Sequence, residues 1–186
     1  RPGQTLGVGS IHDQDTGSAL RVATRILVVE DDKGSRITLT ALLEAEGYRV
    51  EACETAGESL NYLIHHPVDV VVSDLRLPDG SGLQILWALK KIVPDAVFIL
   101  MTGNATLETA IEAVNEGAYA YHIKPLDIDA LTHNIRNALH NRGLSIENRE
   151  LLQKLQQTNA ELAENNKELE QASLAKSQIP DPGYGN

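Results

Sequence analysis

The stretch "VDVVVSDLRLPDGSG", residues 68–82, decides the fold. Val70, Val71 and Val72 form an apolar run with no polar face, which reads as a strand buried on both sides. Asp74 closes that run. A carboxylate at the end of a buried strand is costly unless it is paired with a cation or binds a metal. Leu75 to Gly82 then reads as a loop that turns through Pro78 and Gly80 into a helix.

Outward from this stretch two patterns alternate. The other short apolar runs are "RILVV" (25–29), "YRVEAC" (48–53), "AVFILM" (96–101) and "YAYHI" (119–123). Helical periods lie between them. Ile37, Leu39, Leu42 and Leu43 recur in 34–46, before Gly47, a C′ stop. Leu60, Leu63 and Ile64 recur in 55–66, before Pro67. Leu83, Leu86, Leu89 and Ile92 make a stripe in 82–93. Leu107, Ile111 and Val114 recur in 105–116, before Gly117. From 127 onward the rule continues with Ile128, Leu131, Ile135 and Leu139. Strict alternation of Val/Ile/Leu-rich strands with helices predicts a five-stranded parallel sheet covered on both faces, a doubly wound (βα)5 sandwich. In such a sheet the site lies at the carboxyl ends of the strands.

Four strands deliver polar groups to that edge. The first ends in Glu30, Asp31 and Asp32, and the third in Asp74. The fourth ends in Thr102 and the fifth in Lys124. Crowded carboxylates repel one another unless a cation is present. Oxygen ligands with waters suit Mg²⁺, which is usually held by one or two carboxylates. An ionised Asp beside such a metal is a nucleophile toward phosphorus. Mg²⁺, Lys124 and Thr102 would meet the charge on the transferred oxygens. The constellation suits phosphoryl transfer to Asp74. Taken singly, each residue also has an ordinary reading: the acids and Thr102 as helix caps, Asp74 as a turn cap, Lys124 as a solvated loop lysine.

Composition narrows the classes. Of 186 residues, 42% are hydrophobic, enough for a globular domain. The net charge of −10 argues against direct nucleic-acid binding, which needs clustered Lys and Arg. The single cysteine, Cys53, excludes an internal disulfide and fits a reducing compartment. No apolar run approaches the ~18–20 residues of a membrane span, and the N-terminus lacks a signal-peptide plan. The expectation is a cytoplasmic chain with no membrane partner. No Cys/His cluster, P-loop or dinucleotide motif is present. His65 and His66 end a helix, His122 lies in the fifth strand, and His133 and His140 read as surface residues.

The motifs "ILVVEDD", "VVVSDLRLPDGSGL", "ILMTGNAT" and "GAYAYHIKPL" resemble the receiver (response-regulator) family of two-component signalling. The similarity covers about residues 24–142. Asp31, Asp74, Thr102 and Lys124 follow at separations of 43, 28 and 22 residues, which fit the family. The resemblance implies a flavodoxin-like fold and a domain that is not an enzyme in its own right. It implies that Asp74 accepts a phosphoryl group from a phosphohistidine on a histidine kinase or phosphotransfer protein. Asp31 and Asp74 would bind Mg²⁺ directly, Glu30 through water, and Arg76 through its backbone carbonyl. Lys124 would pair with the phosphate. Thr102 and Tyr121 would be the switch pair, and Lys124–Pro125 a cis peptide. Asp32 is an extra acid outside this set. Arg76 and Asn104 would flank the attacking water, and the long cationic Arg76 predicts slow self-dephosphorylation. Gly103 leaves the entrance open to small donors such as acetyl phosphate. The stretch "TGNATLETAIEAVNEGAYAYHIKPLD" looks most like receivers that precede ATPase modules or lie in hybrid histidine kinases.

Beyond Gly143 the character changes. In "LSIENRELLQKLQQTNAELAENNKELEQASLAKSQ", Leu155, Leu162 and Leu169 recur every seven residues. Leu152, Asn159, Asn166 and Ser173 then occupy the a positions of a short parallel coiled coil, where polar residues set register. A single solvated helix is the plainer reading. Residues 1–23 read as a disordered leader, 24–142 as the receiver, 143–178 as a helical connector and 179–186 as a disordered tail. Homodimerisation is expected through the C-terminal helix and the face made by helix 4, strand 5 and helix 5. Two other readings compete. "LEQASLAKSQ" resembles the helix leading into the phosphohistidine helix of hybrid kinases, so a receiver excised from a longer kinase is one. An aspartyl-nucleophile phosphohydrolase is the other, but it needs a second acid where Arg76 stands.

Overall fold

The computed structural model describes residues 24–178 and residue 180. The leader read over 1–23 and most of the tail read over 179–186 lie outside the described residues. Strands β1 (Arg25–Val29), β2 (Arg49–Cys53), β3 (Val70–Asp74), β4 (Val97–Thr102) and β5 (Ala120–Ile123) alternate with helices. These are α1 (Lys33–Ala45), α2 (Ala56–His65), α3 (Gly82–Ile92), α4 (Leu107–Asn115) and α5 (Ile128–Ser177). A two-residue antiparallel ladder, Arg76–Leu77 with Gly80–Ser81, occupies the loop between β3 and α3. Among the described residues no helix is long and apolar enough to cross a membrane.

The strands form one parallel sheet in the order β2-β1-β3-β4-β5. The expected flavodoxin-like sandwich is therefore present. Strand order reverses between β1 and β3, and a crevice opens at the carboxyl ends where that happens. Val29 pairs with Ser73, so Glu30 and Asp74 leave the sheet side by side. Alternate strand residues feed two cores. Leu27, Val29, Val71, Phe98 and Leu100 pack with Leu63 of α2 and Leu83, Leu86 and Leu89 of α3. Ile26, Val28, Val70, Val72, Ile99 and Met101 pack with Leu39 and Leu43 of α1 and Leu131 and Ile135 of α5.

Local chemistry sets the helix ends. Asp32, Thr55, Ser81 and Thr106 are the N-caps of α1 to α4, and each side chain accepts a backbone N–H of its first turn. Gly47 and Gly117, just past α1 and α4, sit at φ 91° and 90°, where a Cβ would be strained.

The apolar stripe of 105–116 does not face the core. Leu107, Ile111 and Val114 are 73%, 51% and 63% exposed, and Ala113 is the buried residue of α4. Ile37, Ile64 and Ile92 also face outward. Periodicity finds a helix face but does not say which neighbour covers it.

The chain divides into two units, residues 1–142 and 143–186. Helix α5 is assigned across that point, with Gly143 inside it. In the second unit Leu155, Leu162 and Leu169 are all more than half exposed.

These burials make opposite predictions for two substitutions. Phe98→Ala empties a fully buried site on β4 and should cost about 3–5 kcal/mol. Leu107→Ala should stay within about 0.5 kcal/mol of the parent. Urea melts with unchanged slope would read both, and a large loss at Leu107 would mean that the stripe on α4 is covered.

Candidate functional site

Glu30 and Asp74 meet where β1 and β3 end, and Lys124 reaches them from the end of β5. Glu30 is 1% exposed and Asp74 8%. Lys124 Nζ donates to Glu30 Oε2 at 2.5 Å and to Asp74 Oδ2 at 2.6 Å. One ammonium thus serves two buried carboxylates from residues far apart in the chain. Burial pushes the Glu30 carboxyl up, and its hydrogen bonds from Lys124 and the Asp32 N–H oppose that. Burial also works against the Lys124 ammonium, but its hydrogen bonds to Asp74 and Glu30 win and raise it above the ordinary lysine value.

The remaining oxygens are held as well. Glu30 Oε1 accepts the Asp32 N–H at 3.2 Å, and Asp74 Oδ1 accepts the Arg76 N–H at 3.0 Å. Asp74 therefore both caps the turn and pairs with Lys124, one oxygen each. Asp31 is exposed, and Glu30, Asp31 and Asp74 place carboxylate oxygens within 4.8 Å of one another. Three hard oxygen donors this close suit a small divalent cation that keeps several waters. Asp32 turns away to cap α1, accepting the Ser35 N–H at 2.7 Å, which also holds its carboxyl below the usual range.

Three contacts set the shape of the acidic loops. Arg36 Nη1 donates to the carbonyls of Glu30 and Asp31 at 2.6 and 3.0 Å. Asp79 accepts the N–H groups of Ala56 and Gly57 at 2.7 and 2.8 Å, tying the loop after β3 to the start of α2. Those backbone donors hold the Asp79 carboxyl below its ordinary value. At Gly82 a Cβ would overlap the Asp74 carbonyl oxygen, so α3 can start this close to β3 only with glycine.

Thr102 is buried at 1% at the end of β4, and its Oγ1 accepts the Asn104 N–H at 3.2 Å. It is not the cap of α4, since Thr106 has that place. Tyr121 is half-buried, and its hydroxyl lies 2.8 Å from Thr109 Oγ1. Arg76 and Asn104 have exposed side chains. The Lys124–Pro125 peptide is cis. A cavity of about 330 Å³ opens beside the site, lined in part by Glu30, Ser35, Leu42, Lys124 and Pro125.

The described histidines stay outside this constellation. His65 and His66 contact the carbonyls of Asn61 and Tyr62, and His122 contacts Asn134. His133 and His140 are exposed. Sequence reasoning missed Arg36, Asp79 and Thr109. Of these, Asp79 and Thr109 lay inside stretches already singled out, with no role given to either.

A family model described as the response regulator receiver domain matches residues 26–136. The transcriptional regulatory protein GlrR of Escherichia coli (strain K12) is 35% identical over 114 residues, covering 61% of this chain and 26% of that protein. The chain thus spans about a quarter of that relative. A CheY-like response regulator receiver domain protein from Methanospirillum hungatei JF-1 has a similar structure, with TM-score 0.63 and 34% identity over 66% of this chain and 98% of that one. The beryllofluoride-activated NtrC4 receiver domain dimer, solved in solution, gives TM-score 0.61 and 32% identity over 63% and 98%. With its sheet order, its acidic crevice and a family model spanning most of the described domain, this chain belongs to the response regulator receiver domain family.

Proposed function

We propose that the chain accepts a phosphoryl group on Asp74 from a phosphohistidine of a histidine kinase or phosphotransfer protein. The observation that carries this is the Asp74 carboxylate, held 2.6 Å from the Lys124 ammonium in a crevice of three clustered acids. In the transfer an Asp74 carboxylate oxygen forms a bond to phosphorus as the P–N bond breaks. The electron pair goes to the histidine nitrogen. Lys124 exchanges part of its pairing with Asp74 for the arriving phosphoryl oxygens, and Thr102 turns its hydroxyl toward them. Mg²⁺, held by Asp31, Asp74 and the Arg76 carbonyl with Glu30 acting through water, would offset charge on the transferred oxygens. Hydrolysis later breaks the bond between Asp74 and phosphorus by attack of water.

Incubation with acetyl phosphate and Mg²⁺ should add one phosphoryl group, read by intact-protein mass, to the parent chain and none to Asp74→Ala. Chelating the metal should abolish the gain. Equal labelling of Asp74→Ala would place the acceptor elsewhere.

Arg76 and Asn104 stand two residues beyond the acceptor and the switch threonine, and Arg76 offers no acceptor to orient water. The phosphorylated chain should persist for tens of minutes or longer, and Arg76→Asn should shorten that lifetime. An unchanged decay of the acyl phosphate in Arg76→Asn would remove the shielding role. The alternative of a phosphohydrolase finds no second acid, because position 76 is arginine. This supports a signalling domain whose chemistry is limited to its own phosphorylation and dephosphorylation.

Signal output would pass through two surfaces. One is the face of α4, β5 and α5, where Leu107, Ile111, Val114 and Ile123 are exposed. The other is the leucine edge of residues 143–178, paired in parallel with a second copy so that Asn159 and Asn166 face their own counterparts. Sedimentation velocity with Mg²⁺ and beryllofluoride should show a dimer that Leu162→Lys weakens. A monomer in every condition would remove the coiled coil.

A further inference from the structure

Helix α4 is tied to its neighbours by polar contacts at both ends. At its start Thr106 is the N-cap and Thr109 is the third residue of the first turn. Thr106 Oγ1 accepts the Thr109 N–H at 3.2 Å, and Thr109 Oγ1 accepts the Thr106 N–H at 3.2 Å. The Thr109 hydroxyl also lies 3.0 Å from the Thr106 carbonyl, an acceptor that cannot reciprocate. That contact uses its one proton. Tyr121, 2.8 Å away, is then the donor to Thr109 Oγ1. At the far end Trp87 of α3 donates its indole N–H to Glu116, the C-cap of α4, at 2.7 Å.

We infer that Thr109 is a positioning residue for the switch: it latches the Tyr121 hydroxyl into the capping box of α4, so that ring position and helix position change together. The hydroxyl of Tyr121 completes the box from a different element. A rotation of the ring away from Thr109 removes an acceptor's partner from the first turn of α4 and frees that turn to shift. The reverse also holds, since a shift of the first turn leaves a half-buried phenol without its partner. This couples strand β5 to helix α4 through one hydrogen bond, and between them they carry Ile123 and the exposed stripe Leu107, Ile111 and Val114. The link from the latch to phosphorylation rests on the assignment of Asp74 as acceptor and of Thr102 with Tyr121 as the switch pair. The latch itself rests on the contacts alone.

Trp87 supplies the readout, because it is the one tryptophan of the chain and its N–H ends on α4. The indole N–H resonance is followed by NMR in the isotope-labelled full chain, in Tyr121→Phe, in Thr109→Val and in their combination. Tyr121→Phe removes a single oxygen and should change the balance between latched and released positions about fivefold, the loss of one neutral hydrogen bond. In the Thr109→Val background the same change should have no further effect, and Thr109→Ser should keep the parent resonance. Independent, additive effects, or a parent-like indole resonance in Tyr121→Phe, would overturn the latch. In a second arm Mg²⁺ and beryllofluoride are titrated. The apparent beryllofluoride affinity should change in Tyr121→Phe and Thr109→Val by the same factor, as linkage requires. Failure of the parent to bind beryllofluoride would overturn the acceptor assignment and leave the latch to be decided by the first arm.

Discussion

Lys124 lies between two carboxylates that the sheet forces together, and the crevice depends on it. Adjacent registration of β1 and β3 brings Glu30 and Asp74 to neighbouring positions in a largely dry pocket. Two like charges about 4 Å apart repel by roughly 4 kcal/mol at an effective dielectric of 20. The ammonium turns that repulsion into two short charge-assisted bonds. Glu30 and Lys124 are both raised on the pH scale, but from opposite causes: burial lifts the acid against the pull of Lys124, and the two carboxylates lift the base against its burial. A site so arranged holds Asp74 at the end of its strand, 8% exposed, with its charge met by Lys124. The proposed role of Asp74 as acceptor would use that charge, and a hydrophobic pair in its place would be stable but inert.

The loops around this pair are fixed by backbone contacts. Arg36 gathers two carbonyls, Asp79 gathers two N–H groups, and Gly82 lets α3 begin against the Asp74 carbonyl. Each acts on the main chain, so the loop shape does not draw on the Glu30 and Asp74 oxygens that meet Lys124. The acids of residues 30–32 divide by the same logic. Glu30 and Asp31 face the crevice, while Asp32 is committed to the N-terminus of α1, where a negative charge is favoured.

What was legible in the sequence follows from how local each cause is. The valine run at 70–72 could only be a buried strand, and the caps and the stop at Gly47 are set within one turn. Placing Asp31, Asp74, Thr102 and Lys124 on one edge needed only the βα alternation. Within "EDD" composition alone could not separate a cap from a site acid, since both use the same residue type; the family resemblance set Asp32 apart, and it caps α1. The Glu30–Lys124 bond joins residues 94 apart, and no local pattern announces it. Thr109 reads as an ordinary first-turn threonine until β5 brings a tyrosine to it. The outward stripe of α4 was read correctly as a face, but its direction depends on which side the sheet takes.

That direction has an energetic consequence. Helix α3 buries Leu83, Ile85, Leu86 and Leu89, and at about 1.5–3 kcal/mol per buried side chain it cannot move for the sake of one hydrogen bond. Helix α4 buries only Ala113 and is otherwise tied by Tyr121 and Trp87 at its two ends. Its position thus leans on polar contacts worth about 1–3 kcal/mol each. Elements at the low end of local stability are the ones a small change of charge can displace. The exposed leucine, isoleucine and valine of α4 ride on that element, so the least anchored helix is also the one with apolar surface to offer or withdraw.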